Sequence, residues 1–438
     1  MPVPGDREYL AAERLRLLEF AKRSRHPLGF AWLDARGSPD LSRPVQLWIT
    51  CRMTHVFSLG VLLGYSGAAE EAEHGVQALS GALHDDEYAG WFPAVTEEGP
   101  ASTTKGAYDH AFVVLAASSA VAAGVTGAEG VLAAALEVSE QRFWDDDAGL
   151  VVEDWNRDWS RLEEYRGTNA NMHTVEAYLA AGDVTADRCW HRRAGRIAAH
   201  VPGWASDNGW RLPEHFDTSW HPLPEYNADK PADPFRPYGA TVGHGLEWAR
   251  LLLAVNTTLG DVAPAELVPA AVSLAERAVM DGWAADGTEG FVYTTRWDGK
   301  PLTRQRMHWV LAEAVNAAAS LHQVTGDERW QASYHSWWAY AERYLIDREQ
   351  GSWHHELDPA NRPATTVWPG KPDVYHAFQA TLVPLLPLAP AMSSSLTPER
   401  VATLEEGVLR ETTEDHGVRD DGCPQSPRAT DAGVPARS

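Results

Sequence analysis

The 438-residue sequence predicts an all-α fold, a toroid of helical hairpins rather than a linear helical solenoid. Three observations lead there. Helical periodicity recurs from end to end, while strand character is confined to short pieces such as Val292–Thr295. The helices alternate, a polar-tipped one followed by an ordinary amphipathic one, at near-regular spacing and without an exact repeat. The connections between them are rich in Gly, Asp and Trp. An inner ring of helices wrapped by an outer ring produces this alternation, and inner helices starting at one rim bring their first turns to one pocket.

Arg7–Ser24 sets Leu10, Leu15, Leu18 and Phe20 at helical spacing among charges. His26–Pro44 is rich in Gly, Pro, Asp and Ser, and its Phe30-Ala-Trp-Leu reads as a short strand or loop. Helices follow at Val45–Tyr65, Ala68–Leu83, Lys105–Ala123, Gly127–Phe143, Asn171–Ala181 and Thr185–Val201. Five more are expected at Gly239–Leu259, Ala263–Met280, Arg304–Thr325, Asp327–Ile346 and Asp373–Leu386. One catalytic domain over residues 1–390 is expected, then a tail, 391–438. Val401–Arg410 reads as one more helix, and Glu411–Ser438, poor in large apolar residues, as disorder. Cys423 is given no role.

Composition excludes several functions. A chain 44% hydrophobic can bury a large core. No apolar run reaches the roughly 18 residues of a membrane span, the longest being the Ala-rich Ala111–Val125. The opening Met1-Pro-Val-Pro-Gly-Asp-Arg-Glu lacks the order of a signal peptide. Three scattered cysteines make neither a disulfide framework nor a zinc pattern, so the cytoplasm is the expected compartment. A net charge of −24 argues against nucleic acid and disfavours polyanionic substrates. Most of the 19 tryptophans serve the core, though sugar clefts also use aromatic faces.

Four helix beginnings carry the chemistry. In Gly243-His-Gly-Leu-Glu247, His244 and Glu247 share the face of one turn. Asn169, His173 and Glu176 repeat the pattern, as do His376 and Gln379 after Pro372-Asp373, and Trp48, Arg52 and His55. Helical zinc sites take His at i and i+4, and di-iron bundles take Glu-x-x-His; neither stands at these positions, so no metal is expected. Histidine with Glu and Arg suits metal-free proton transfer, the imidazole serving as base and acid and the guanidinium holding an oxyanion. Singly, each residue has a structural explanation: a capping histidine, a glutamate on the helix dipole, an arginine in an ion pair. Their coincidence carries the functional reading. Tyr108-Asp109-His110, His308-Trp309 with Glu313, and Trp353–Asp358 are weaker candidates, with Glu313 as a buried partner and Trp309 as a stacking platform. The acid runs Glu163-Glu164 and Asp145–Asp147 read as solvated.

At these residues the sequence resembles the N-acylglucosamine 2-epimerase superfamily. The matching stretches are Trp48-Ile-Thr-Cys-Arg-Met-Thr-His55, Tyr165-Arg-Gly-Thr-Asn-Ala-Asn-Met-His-Thr-Val-Glu-Ala177, Gly243–Arg250, Arg306-Met-His-Trp309 and Trp368-Pro-Gly-Lys-Pro-Asp-Val-Tyr-His376. The resemblance implies an (α/α)6 barrel and cofactor-independent proton transfer between C1 and C2 of an aldose. It implies His376 and His244 as the catalytic histidines, Glu247 as the partner of His244, Arg52 as the anion holder and His173 as an aid to ring opening. Trp48, Tyr108, Asn171, Met172 and Trp309 would form pocket wall, with Glu176 and Gln379 also at the substrate. The run after Arg52 and the Lys-Pro-Asp-Val-Tyr-His stretch resemble the mannose and sulfoquinovose isomerase branch. A sulfonate would need a donor such as Arg236, and Glu356 would oppose it. The expectation is D-mannose to D-fructose, with D-lyxose as a minor substrate, in a monomer or homodimer. The alternatives are a sulfoquinovose isomerase, an N-acylglucosamine or cellobiose 2-epimerase, a glycoside hydrolase, or a non-catalytic binding member.

Overall fold

A computed structural model describes residues 2–404. These are mostly helical, and the first helix, α1, is Arg7–Ala21. Two hairpin pairs follow, α2 (Leu47–Leu62) with α3 (Ala68–Leu79) and α4 (Ala107–Ala122) with α5 (Ala128–Val138). Next come α6 (Thr168–Thr185), α7 (Arg188–Ala198) and the short α8 (Val201–Ser206). The last pairs are α9 (Val242–Leu259) with α10 (Leu267–Gly282) and α11 (His308–Thr325) with α12 (Glu328–Tyr340). A single short helix, α13 (Tyr375–Ala380), completes the set.

The polar-tipped helices pack in a definite order. α2 lies on α4, α4 on α6, α6 on α9, α9 on α11, α11 on α13, and α13 returns to α2. Each has an amphipathic partner behind it: α3, α5, α7, α10 and α12 in turn, with α1 behind α13. Burial follows from that layering. α2 is buried on every face from Leu47 to Gly60, whereas α7 hides only Trp190, Ala194, Gly195, Ile197 and Ala198. Gly75 of α3 lets the two layers approach, since a Cβ there would strike Thr54 of α2.

Short antiparallel ribbons hold the helix starts at one rim. Val45–Gln46 pairs with Ala94–Thr96 ahead of α2, and Arg166–Gly167 with His215–Phe216 ahead of α6. Ala240–Thr241 pairs with Thr294–Thr295 ahead of α9, and Arg306–Met307 with Glu356–Leu357 ahead of α11. The connection returning from each outer helix is thus hydrogen-bonded to the residues that enter an inner one. None of the entering residues Gln46, Gly106, Gly167, Thr241 or Met307 caps its helix with a side chain; the first N–H of α2, α6, α9 and α11 donates instead to the carbonyl of Pro93, Glu214, Tyr293 and His355 in turn.

Several boundaries differ from the sequence reading. α9 and α11 start three to four residues late, because the expected first residues are spent on the ribbons. α6 starts at Thr168, ahead of the expected Asn171. α13 ends at Ala380 instead of Leu386, where Pro384 and Pro387 cannot donate to a continuing helix. Beyond it Met392–Ser395 packs on α2, α4 and α6, and residues 398–404 are helical. The rest of the expected Val401–Arg410 helix, the expected disorder of Glu411–Ser438 and Cys423 lie outside the described residues. Among the described residues no helix is long and apolar enough to cross a membrane.

Candidate active site

The inner helix starts converge on one pocket. Its wall includes Trp48 and Arg52 from α2, Tyr108 from α4, Asn169 and His173 from α6, His244 from α9, and His308 and Trp309 from α11. His376 of α13 and Asp373 close one side, and Phe235 and Trp368 reach in from connections.

Two of the histidines have a carboxylate behind them. His376 Nδ1 lies 2.9 Å from Oε1 of Glu313, a fully buried residue of α11. His244 Nδ1 lies 2.8 Å from Glu214 Oε2. With Nδ1 engaged in each, Nε2 is the nitrogen left for the pocket. Trp309 stands between them, its ring 5.1 Å from that of His244 and 5.8 Å from that of His376. Gly243 makes room for it, since a Cβ there would strike the indole.

The third histidine is held differently. His173 packs on Phe112 at 4.6 Å and Tyr108 at 5.2 Å, and its Nδ1 is 3.9 Å from Glu247 Oε1 with no hydrogen-bond partner on either atom. Arg52 donates to Tyr108 Oη at 3.0 Å and to Asp373 Oδ2 at 3.2 Å, while Trp48, Phe112 and Tyr375 surround its guanidinium.

Burial, and then the charge of Arg52, hold His376 and His173 well below the ordinary histidine value, so both are neutral at pH 7 and able to accept a proton. Burial also works against the charge on Arg52, but Tyr108 and Asp373 outweigh it and its proton is held more firmly than usual. Burial would raise Glu214, yet His244 beside it wins and keeps it a carboxylate. Glu247 goes the other way. Burial and the neighbouring Glu313, against Arg250, push it well above the carboxylate range.

Beneath the pocket Arg250 sits among three acids. Its Nε donates to Glu313 Oε2 at 3.1 Å, and its Nη2 lies 3.8 Å from Glu247 and 3.9 Å from Glu176. The sets His173–Glu176–Glu247 and Glu247–Glu313–His376 bring donor atoms within 4.8 Å of one another, close enough for a metal ion. The guanidinium already supplies a cation to the same carboxylates.

Of the residues singled out in the sequence, Trp48, Arg52, Tyr108, Asn169, His173, His244, His308, Trp309 and His376 meet in the pocket. The others are placed elsewhere. Glu247 is not the partner of His244; that place belongs to Glu214, in the connection before the His215–Phe216 strand, where no helix periodicity marks it. Asn171 is fully buried, its amide bonded to the backbone of Val151 and Gly167, and Met172 is core. Asn169 and His173, one turn apart on α6, face the pocket as their spacing predicts. Glu176 and Gln379 lie deeper, Glu176 accepting from Tyr375 Oη and from Gln379 Nε2 at 3.1 Å. Arg236 is paired with both oxygens of Glu163 at 2.9 and 3.1 Å and lies over Tyr165, so Glu163 is not simply solvated. Glu356 accepts from Thr366 and from the backbone of Val367 and Trp368, which fixes the Trp368 connection. His308, a weaker candidate in the sequence, is stacked 3.7 Å from His355 and lines the wall, as does Asp373, which the sequence marked only as a helix start.

The N-acylglucosamine 2-epimerase (GlcNAc 2-epimerase) family profile matches residues 29–380. The chain belongs to that family. The whole pocket, from Trp48 to His376, falls inside the family match. A D-mannose isomerase of Thermobifida fusca is 53% identical over 394 residues, 89% of this chain and 97% of the relative. A D-mannose isomerase of Pseudomonas cannabina pv. alisalensis is 46% identical over 397 residues, covering 90% and 96%. Among solved GlcNAc 2-epimerase-like folds, a D-mannose isomerase crystal structure superposes with a TM-score of 0.82 at 27% identity, covering 88% of this chain and 99% of that one.

Proposed function

We propose that the chain is an aldose–ketose isomerase interconverting D-mannose and D-fructose, built on an (α/α)6 barrel within residues 1–390. The observation that carries this is the pair of imidazoles, His376 on Glu313 and His244 on Glu214, facing one pocket that also holds Arg52. The D-mannose isomerases at 53% and 46% identity support the choice of sugar. D-Lyxose, which repeats the C2 configuration of mannose without its sixth carbon, is a minor substrate. The pairing of Arg236 with Glu163 leaves it poorly placed to receive a sulfonate.

His173 assists opening of the sugar ring. His376 Nε2 then takes the proton from C2, leaving a cis-enediolate whose negative oxygen is held by Arg52. His244 moves the hydroxyl proton from O2 to O1. The proton on the His376 imidazolium exchanges with solvent, and delivery of a proton from that nitrogen to C1 completes the ketose. Glu313 and Glu214 orient their histidines and stabilise each imidazolium as it forms. The chain's own residues supply every step, with no cofactor and no resident metal.

The test is NMR of the purified protein with D-mannose in D2O containing EDTA. Fructose carrying deuterium at C1 is the expected product. Glucose alone, with deuterium at C2, would replace the isomerase by a 2-epimerase, and unchanged mannose would remove the assignment.

A further inference from the structure

Beside the catalytic pocket, and sharing Trp48, Tyr108, Asn169 and Phe235 with it, lies a second cavity of about 310 Å³. Its other face is acidic, formed by Asp109 in the first turn of α4 and by Glu153 and Asp154 in the connection that leads to α6. Glu153 is the unusual member. It is only 5% exposed, it lines the cavity, and among the described residues no hydrogen bond ends on its carboxyl. An ionisable group so placed is expensive unless something fills its empty valences. The positive charge nearby is Arg236, which also lines the cavity and lies 3.5 Å from Asp154 Oδ2, but its hydrogen bonds go to both oxygens of Glu163 and Tyr165 covers it, so Glu153 is left without a partner.

The backbone keeps space for these carboxyls. A Cβ on Gly167, the entry to α6, would come within 2.8 Å of Glu153 Oε1 and of Tyr165 Oη. A Cβ on Gly106, the entry to α4, would come within 2.7 Å of Asp154 Oδ1 and 3.7 Å of Asp109 Oδ2. Both glycines have ordinary φ values, −142° and −94°, which any residue adopts, so conformation does not demand them. Space does.

We propose that this cavity is a second binding site, for a small organic ammonium ion. Acceptors dominate its polar lining, so the ligand must bring donors, and the excess of carboxyls calls for positive charge. A bare metal ion fits less well. It needs three donor atoms within about 4.8 Å of each other, and among the described residues such groups occur only beneath the catalytic pocket. An ammonium carrying hydroxyls can span separated carboxyls and lay its carbon skeleton on Trp48 and Phe235.

Binding is linked to protons. Glu153, buried and facing Asp154, with Arg236 and Arg166 pulling the other way and Glu163 adding to Asp154, is pushed up to about 8. Asp109, buried beside Asp154 and opposed by Arg52, also reaches about 8. Asp154 itself is raised, by burial and Glu163 against Arg236, and Tyr165 stays protonated. A cation that binds the ionised acids therefore expels protons near neutrality, and its affinity climbs as pH rises toward and past about 8.

The experiment is calorimetric titration of the whole chain with ethanolammonium chloride between about pH 6.5 and about pH 8.5, in two buffers of different ionisation enthalpy. Sodium chloride at equal ionic strength and glycerol are the controls. Saturable binding that tightens with pH and releases protons is expected, weakened about tenfold or more by Glu153→Gln and separately by Asp109→Asn. A cooperative thermal melt like the parent's reports that each variant is folded. The site is refuted if ethanolammonium binds no better than sodium ion or glycerol, or if folded variants bind it as the parent does. Since binding is read directly, the result stands apart from whether mannose is the substrate.

Discussion

At His376 the basicity of the pocket nitrogen depends on what stands behind the ring. Glu313→Gln keeps the shape of that partner and removes its charge, so kcat should fall by about 10²-fold while KM changes little; His376→Asn should cost about 10³-fold or more. Steady-state kinetics of both variants check this, and a Glu313→Gln enzyme that turns over at the parent rate would contradict the assigned orientation. If His376 is the base proposed above, it should also set the acid side of the pH profile. Burial and Arg52 hold the folded-state His376 well below the ordinary value, so the neutral base persists as pH falls. The acid limb that this group contributes to kcat/KM should therefore lie below about 6.5, and a limb at pH 7 or above would show another group in control.

Among the elements, α9 and α11 meet through one missing side chain. Gly243→Ala would push the Trp309 indole away from the two histidines it separates. The overpacking should destabilise the fold by about 1–3 kcal/mol and lower kcat/KM, which thermal melts and kinetics read separately. It is also at this scale that the sequence was partly opaque. The alternation of polar-tipped and amphipathic helices was legible because it is written in periodicity, and so were His173, His244 and His376 at their tips. Glu214 was not, since a lone acid in a connection is distinguished only by the histidine it meets in space. Asn171 and Met172 were assigned to the wall by family resemblance alone, whereas helical spacing, which puts Asn169 and His173 on one face of α6, turns Asn171 and Met172 to the core.

For the molecule as a whole, Arg250 joins α6, α9, α11 and α13 through Glu176, Glu247, Glu313 and, by way of Glu176, Tyr375. Replacing it by Met leaves buried acids without their cation. Such a loss should cost about 3–5 kcal/mol, read as a lower denaturant midpoint, and a Met variant as stable as the parent would mean that protonation alone relieves the cluster.

The rim ribbons carry a consequence for how such a protein diversifies. The histidines and Arg52 belong to helices, whereas Phe235 and Trp368 belong to the connections, and the ribbons join the two by backbone bonds that ignore side-chain identity. What is gripped and what is done to it are thereby inherited separately. On the proposed reading, a change of letters in a connection would admit a new sugar while the proton-moving apparatus keeps its place.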